Sequence, residues 1–223
     1  MKYDGKQWFL RDYSENSDCL VIGFGSLRMF HKTRKKGFEW QNLFKYKYKD
    51  LKFKKLFIAD IRNCWWHTVY DGLKGDGPPA LKDFIINEIK RAKVKKVLCV
   101  GVSMGGYGAI LFGCLINATK VMVFSPQTNI SKGRQERINR KFGPVIYHDS
   151  FIDLKNVIQT SENKITIYKI WYGTLNKGDT IAARRLGGLD NVHIYPIRSS
   201  KHNVISPLLK NEIFRQELLD FLS

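Results

Sequence analysis

The chain is poor in acid: 20 aspartates and glutamates stand against 38 lysines and arginines in 223 residues, a formal charge of +18. It also holds only 4 cysteines and 6 prolines. Cys19, Cys64, Cys99 and Cys114 are scattered, with no CxxC pair and no Cys/His cluster at zinc-like spacing. That spacing argues against a disulfide framework and a structural zinc, and implies no metal. Repeats, heptads and low-complexity tracts are absent, which argues against solenoids and coiled coils. The opening six residues carry no apolar core and no small-residue cleavage site, so no secretory signal is expected. Cytoplasmic residence with reduced, mostly buried thiols is the expectation.

What is present is enough apolar material, 43% of residues, for one sizeable core, read as a single domain over 1–223. Residues 97–119 lack any charge and are long enough to cross a bilayer. Gly101, Gly105, Gly106, Gly108 and Gly113 interrupt them, so they divide into strand, turn and helix, and no transmembrane segment is expected.

An Asp4-Gly5 pair between aromatic flanks predicts a tight N-terminal hairpin of two antiparallel edge strands. Short apolar runs predict buried strands over 19–25, 55–60, 97–100, 120–124, 165–172 and 191–197. Helical periodicity marks 79–92, where Leu81, Phe84, Ile85, Ile89 and Ala92 share a face and Pro79 fits the start. Further helices are expected over 106–117, 180–186 and 207–222. Residues 130–164 show no clear element and read as a small excursion from the sheet. Alternating strands and helices point to an α/β fold, a mostly parallel sheet covered on both faces.

The chemistry centres on Gly101-Val102-Ser103-Met104-Gly105-Gly106, a G-x-S-x-G directly after a predicted strand and before a predicted helix. A serine in such a sharp turn needs small residues two positions to either side, and the turn lifts its hydroxyl above the sheet. The free N–H groups of the helix start converge on the same point. Ser103 is therefore the candidate nucleophile.

With this motif in this context, the sequence resembles the α/β-hydrolase superfamily from Cys19 onward. The resemblance implies an α/β-hydrolase fold with a short lid at 130–164 and a triad in the order serine, acid, histidine. It places the general base in the loop beyond the last strand, where His202 stands. His31 and His67 precede the serine, His148 lies in the excursion, and His193 sits within the last strand. The acid belongs after the preceding strand, at Asp179, which also stands where a helix cap would. Asp149 and Asp153 are fallback acids, Asp190 reads as a turn residue, and Asp60 comes before the serine. By the same resemblance the oxyanion donors are the N–H of Met104 and one from Phe24 or Gly25.

Two basic clusters, Lys32, Arg34, Lys35 and Lys36, and Lys132, Arg134, Arg137, Arg140 and Lys141, follow strand ends on the edge where the resembled fold opens its site. Lys35, Lys36, Arg134 and Arg137 are candidate anion-binding residues near its mouth, against the alternative of a solvated basic surface. Lys45-Tyr46-Lys47-Tyr48-Lys49 is the best local nucleic-acid candidate, but no recognisable reading motif accompanies it, and no nucleic acid is expected.

A compact lid suits an exposed ester on a polymer or a small soluble ester. Ser103-Met104-Gly105-Gly106-Tyr107-Gly108 and Phe124-Ser125-Pro126-Gln127-Thr128 further resemble bacterial members linked with surface-polysaccharide modification. The leading expectation is a serine esterase acting on a small acyl group of a small-molecule or glycan ester, without a cofactor. The alternatives are an O-acyltransferase using acetyl-CoA as co-substrate and a basic binding module without turnover.

Overall fold

A computed structural model describes residues 7–27, 38–68, 70–163 and 165–223. The Asp4-Gly5 turn, His31 and the cluster Lys32 to Lys36, with Lys35 and Lys36, lie outside the described residues. Seven strands form one sheet: β1 Phe9–Asp12, β2 Cys19–Phe24, β3 Lys54–Ile58, β4 Lys96–Val102, β5 Lys120–Phe124, β6 Ile167–Gly173 and β7 Val192–Ile197. The spatial order is β1-β3-β2-β4-β5-β6-β7. Only β1 runs antiparallel, pairing with β3 rather than with a neighbour in sequence. The expected antiparallel edge therefore exists, but among the described residues it is one strand folded back on β3.

Side chains alternate across the inner strands as a period of two requires. Leu20, Ile22, Cys99, Val121, Val123 and Ile170 face one core. Val21, Leu98, Val100, Met122, Phe124 and Trp171 face the other. The first face is covered by α1 Gly77–Ala92, α2 Met104–Leu115, α4 Leu154–Thr160 and α5 Lys177–Arg184. The second is covered by a π-helical turn at Leu43–Lys47 and by α6 Ile205–Lys210 and α7 Ile213–Leu222. Lys120 and Lys169 both reach Glu217 of α7, at 2.5 and 2.7 Å, which pins that helix to the sheet.

Helix α1 begins at the expected prolines and ends where Lys93 turns left-handed, at φ 52°. Its one buried acid, Glu88, takes hydrogen bonds from Arg11 at 3.0 Å and Tyr13 at 2.8 Å. Two readings change. The excursion holds α3 Lys132–Phe142, a short 3-10 turn at Asp149–Phe151, and α4. The closing helix is two helices, because Glu212 adopts φ 56° between α6 and α7. In the Lys/Tyr interleaving at 45–49, Tyr48 is fully buried against Phe214 and Lys47 pairs with Glu212 at 3.1 Å, while Tyr46 is exposed. All four cysteines are free and buried. No helix among the described residues is long and apolar enough to cross a membrane.

Candidate active site

Ser103 occupies the single position between β4 and α2, with φ 54° and ψ −116°. A side chain in that region carries strain of about 1–3 kcal/mol, so the surroundings must enforce it. They do: Ser103 N–H donates to Phe124 O at 3.0 Å, and Ser103 O accepts from Tyr107 at 3.1 Å and Gln127 at 3.2 Å. The flanking glycines are required by contact. A Cβ on Gly101 would sit 2.1 Å from Gly105 O, and one on Gly105 would sit 2.3 Å from Phe24 O. Strand end, serine and helix start are thus backbone against backbone, with no flexible atom to yield.

His202 comes from the loop after β7. That loop is drawn against the end of β6 by Thr174 N–H to Ile197 O at 2.9 Å and Leu175 N–H to Ser199 O at 3.1 Å. Here Gly173 permits the approach, since a Cβ there would meet Ser199 O at 2.6 Å. Asp179 lies in the first turn of α5, where negative charge is favoured. His202 Nδ1 donates to Asp179 Oδ1 at 2.7 Å; the histidine is 45% exposed and the aspartate 9%. A carboxylate only accepts, so the Nδ1 proton leaves Nε2 with its lone pair. Ser103 and His202 line one cavity of about 640 Å³, together with Ser26, Glu39 and Gln127. No hydrogen bond joins the hydroxyl to the imidazole, an open arrangement common in sites without substrate.

The expected cap is corrected. Asn176, not Asp179, caps α5, its side chain accepting the Asp179 N–H at 3.2 Å. The carboxylate is thereby free to face His202. Both residues are cap formers three positions apart, a spacing visible in Asn176-Lys177-Gly178-Asp179.

Of the N–H groups expected to face an oxyanion, Met104 is placed for it and Gly25 is not. Met104 is the first residue of α2, so its N–H has no carbonyl one turn earlier to bond. Phe24 lies within the ladder between Ile58 and Gly101, and Gly25 N–H is spent on Ile58 O at 2.9 Å. The first N–H of that loop clear of the sheet belongs to Ser26, and it donates to the Glu39 carboxylate. Burial raises the Glu39 carboxyl above its ordinary pKa. Neither residue carries a motif, and the contact spans a loop, so local sequence could not disclose it.

The remaining candidates stand outside the Ser103 cavity. Asp153 caps α4 by accepting the Lys155 N–H at 3.0 Å and pairs with Arg185 at 2.6 Å. Asp149 begins the short 3-10 turn, and His193 is exposed on β7. Asp60 is buried and accepts the N–H groups of Cys64 and Trp66, each at 2.9 Å. That turn sends Trp66 Nε1 to Met104 O at 3.0 Å, under the serine. His67 Nδ1 accepts the His148 N–H at 3.1 Å, and burial holds its pKa down at about 3. Of the second basic cluster, Lys132, Arg137, Arg140 and Lys141 are exposed, and Arg134 lines a neighbouring cavity together with Gln127, Asp179 and His202.

No protein-family model matches the sequence, and no curated protein matches it. Solved structures do. A capsule O-acetyltransferase of Neisseria meningitidis serogroup A superposes with TM-score 0.68 at 17% identity, covering 95% of this chain and 90% of that one. A fluorophosphonate-binding serine hydrolase of Staphylococcus aureus, FphF, superposes at 0.59 with 13% identity, over 90% and 83%. The chain has the α/β-hydrolase fold. A glycosylation-associated complex of Streptococcus agalactiae, Gap123, matches at 0.60 with 16% identity, covering 94% of this chain but only 43% of that one. A mutant of the Neisseria acetyltransferase with CoA bound matches at 0.68, with 16% identity over 93% and 89%. On the α/β-hydrolase fold the topology places the elbow of Ser103 at the carboxyl edge of the central strands, where such sheets bind ligands.

Proposed function

We propose that this α/β-hydrolase-fold protein is a serine acyl-transfer enzyme that cleaves or transfers a small acyl group through Ser103, His202 and Asp179. The observation that carries the reading is the strained serine facing one cavity with an imidazole whose Nδ1 is held by a buried carboxylate. In the reaction, His202 Nε2 removes the Ser103 proton as Oγ bonds to the acyl carbon. The carbonyl π electrons go to oxygen, which accepts the Met104 N–H and, once Glu39 withdraws, the Ser26 N–H. His202 then gives its proton to the leaving oxygen or sulfur, and an acyl-enzyme remains. Water or an alcohol, deprotonated by the same nitrogen, releases the acyl group and restores Ser103.

Hydrolysis of a small ester is the first reading. Transfer to a glycan hydroxyl, with acetyl-CoA as donor, is the second, favoured by the match to the capsule O-acetyltransferase at 0.68 against 0.59 for the serine hydrolase. The test is release of p-nitrophenol from p-nitrophenyl acetate by wild type and Ser103→Ala, with and without a polysaccharide acceptor, alongside fluorophosphonate labelling. Ser103-dependent release and labelling are expected, and acetylation of the acceptor would select transfer. Labelling that survives Ser103→Ala would remove Ser103 as nucleophile. Neither release nor labelling of wild type would leave the binding-module reading.

A further inference from the structure

Beside His202 and Asp179 lies a second cavity of about 350 Å³, lined by Gln127, Arg134, Arg185 and His202 among others. It shares Gln127 and His202 with the nucleophile's cavity, so the two are adjoining parts of one cleft. The Arg134 guanidinium lies over the Trp65 ring, 5.7 Å from its centre, and Trp65 Nε1 in turn donates to Gln127. Arg134 Nη1 is covered and has no hydrogen-bond partner, and no carboxylate among the described residues pairs with this side chain. Burial, reinforced by Arg137, lowers the pKa of Arg134. Arg185 has an unpartnered covered Nε, while its Nη2 is held by Asp153 at 2.6 Å. A half-buried cation without a counter-charge is costly, and a planar guanidinium matches an oxyanion with two parallel bonds.

We infer that Arg134, with Arg185 beside it, forms a subsite for a phosphate or carboxylate oxyanion carried by the alcohol or thiol half of the substrate. The assignment to that half rests on the proposed acyl-transfer reading. The imidazole that protonates the leaving atom lines both cavities, so the group leaving the acyl carbon borders this one. A sugar phosphate, a uronic acid and CoA share this chemistry, and the exposed remainder of the α3 basic cluster takes no part.

The test uses the folded wild-type chain, Arg134→Gln, Arg134→Lys and Lys132→Gln, the last removing the same charge from the exposed side of α3. Inhibition of p-nitrophenyl acetate turnover by inorganic phosphate, glucuronate and CoA is measured for each, with calorimetric titration of the same anions. At least one anion should compete, with its inhibition constant raised roughly tenfold or more in Arg134→Gln. Arg134→Lys should fall between, since it keeps the charge and loses the fork. Lys132→Gln should match wild type. CoA alone would name the donor as the source of the oxyanion, and glucuronate or phosphate the acceptor or ester alcohol. Equal constants in Arg134→Gln and wild type, or an active enzyme that none of the anions inhibits or binds, would overturn the subsite and leave the serine chemistry standing. Should the ester not be turned over at all, Arg134-dependent calorimetric binding would still support the subsite, and its absence would overturn it.

Discussion

Asp179 holds His202 through a 2.7 Å bond to Nδ1 while its own backbone N–H is held by Asn176. One residue is thus oriented at both its main chain and its side chain, and the helix cap and the imidazole's partner are different groups. Asp179→Asn keeps the shape but presents an amide where a carboxylate stood. Its turnover of p-nitrophenyl acetate should fall by about 10⁴. Near-normal turnover would show that Asp179 is not the acid of the site.

Asn176→Ala removes the cap of α5 and leaves the Asp179 carboxylate in place. Thermal or urea unfolding should report a loss of about 1 kcal/mol. Fluorophosphonate labelling should persist, separating the cap from the chemistry.

Glu39 holds the Ser26 N–H, the group proposed as second donor to the oxyanion. Glu39→Ala should raise the turnover of a neutral ester, by no more than the roughly 10²-fold that one such donor is worth. A fall in turnover with unchanged stability would mean that the carboxyl helps the reaction instead.

Glu217 stands between Lys120 and Lys169 with little exposure, 13% for its own side chain. Glu217→Ala leaves two lysines without their partner under α7. Urea denaturation should show a loss of about 3 kcal/mol, and a loss below 1 kcal/mol would mark the cluster as solvent-screened.

His67 is neutral in the fold, its pKa depressed from 6.5 to about 3 by burial and by His148. Between those values the unfolded chain binds a proton that the folded chain does not. Stability is therefore full above about pH 6.5 and falls as pH drops toward 3. His67→Asn retains an acceptor for the His148 N–H but cannot titrate. Between pH 7.5 and 5 the urea midpoint of wild type should fall more than that of His67→Asn, and parallel profiles would contradict this.

The central strands were legible because they are buried on both faces and read as continuous apolar runs, as in Val121-Met122-Val123-Phe124. Ser103 was legible because the backbone contacts at Gly101 and Gly105 admit no side chain. His202 and Asp179 were found through chain order, which the resemblance supplied. Helix α3 escaped because it buries only Ile138 and shows no apolar stripe. The break between α6 and α7 escaped because Glu212, rather than a glycine, takes the left-handed turn. Ser26 and Glu39 meet only through tertiary packing, and no periodicity encodes that.

The excursion is fastened from beneath. Tyr107, one turn after the serine, donates its hydroxyl to Phe151 O. Leu154 N–H bonds Thr128 O at 3.0 Å, and Ile130 N–H bonds Ile152 O at 2.9 Å. Tyr107 also donates its N–H to Ser103 O, so the excursion and the serine's turn share one rivet. A cavity-forming change at Tyr107 would therefore loosen the excursion and the serine's turn together, since one side chain and its own main chain tie both.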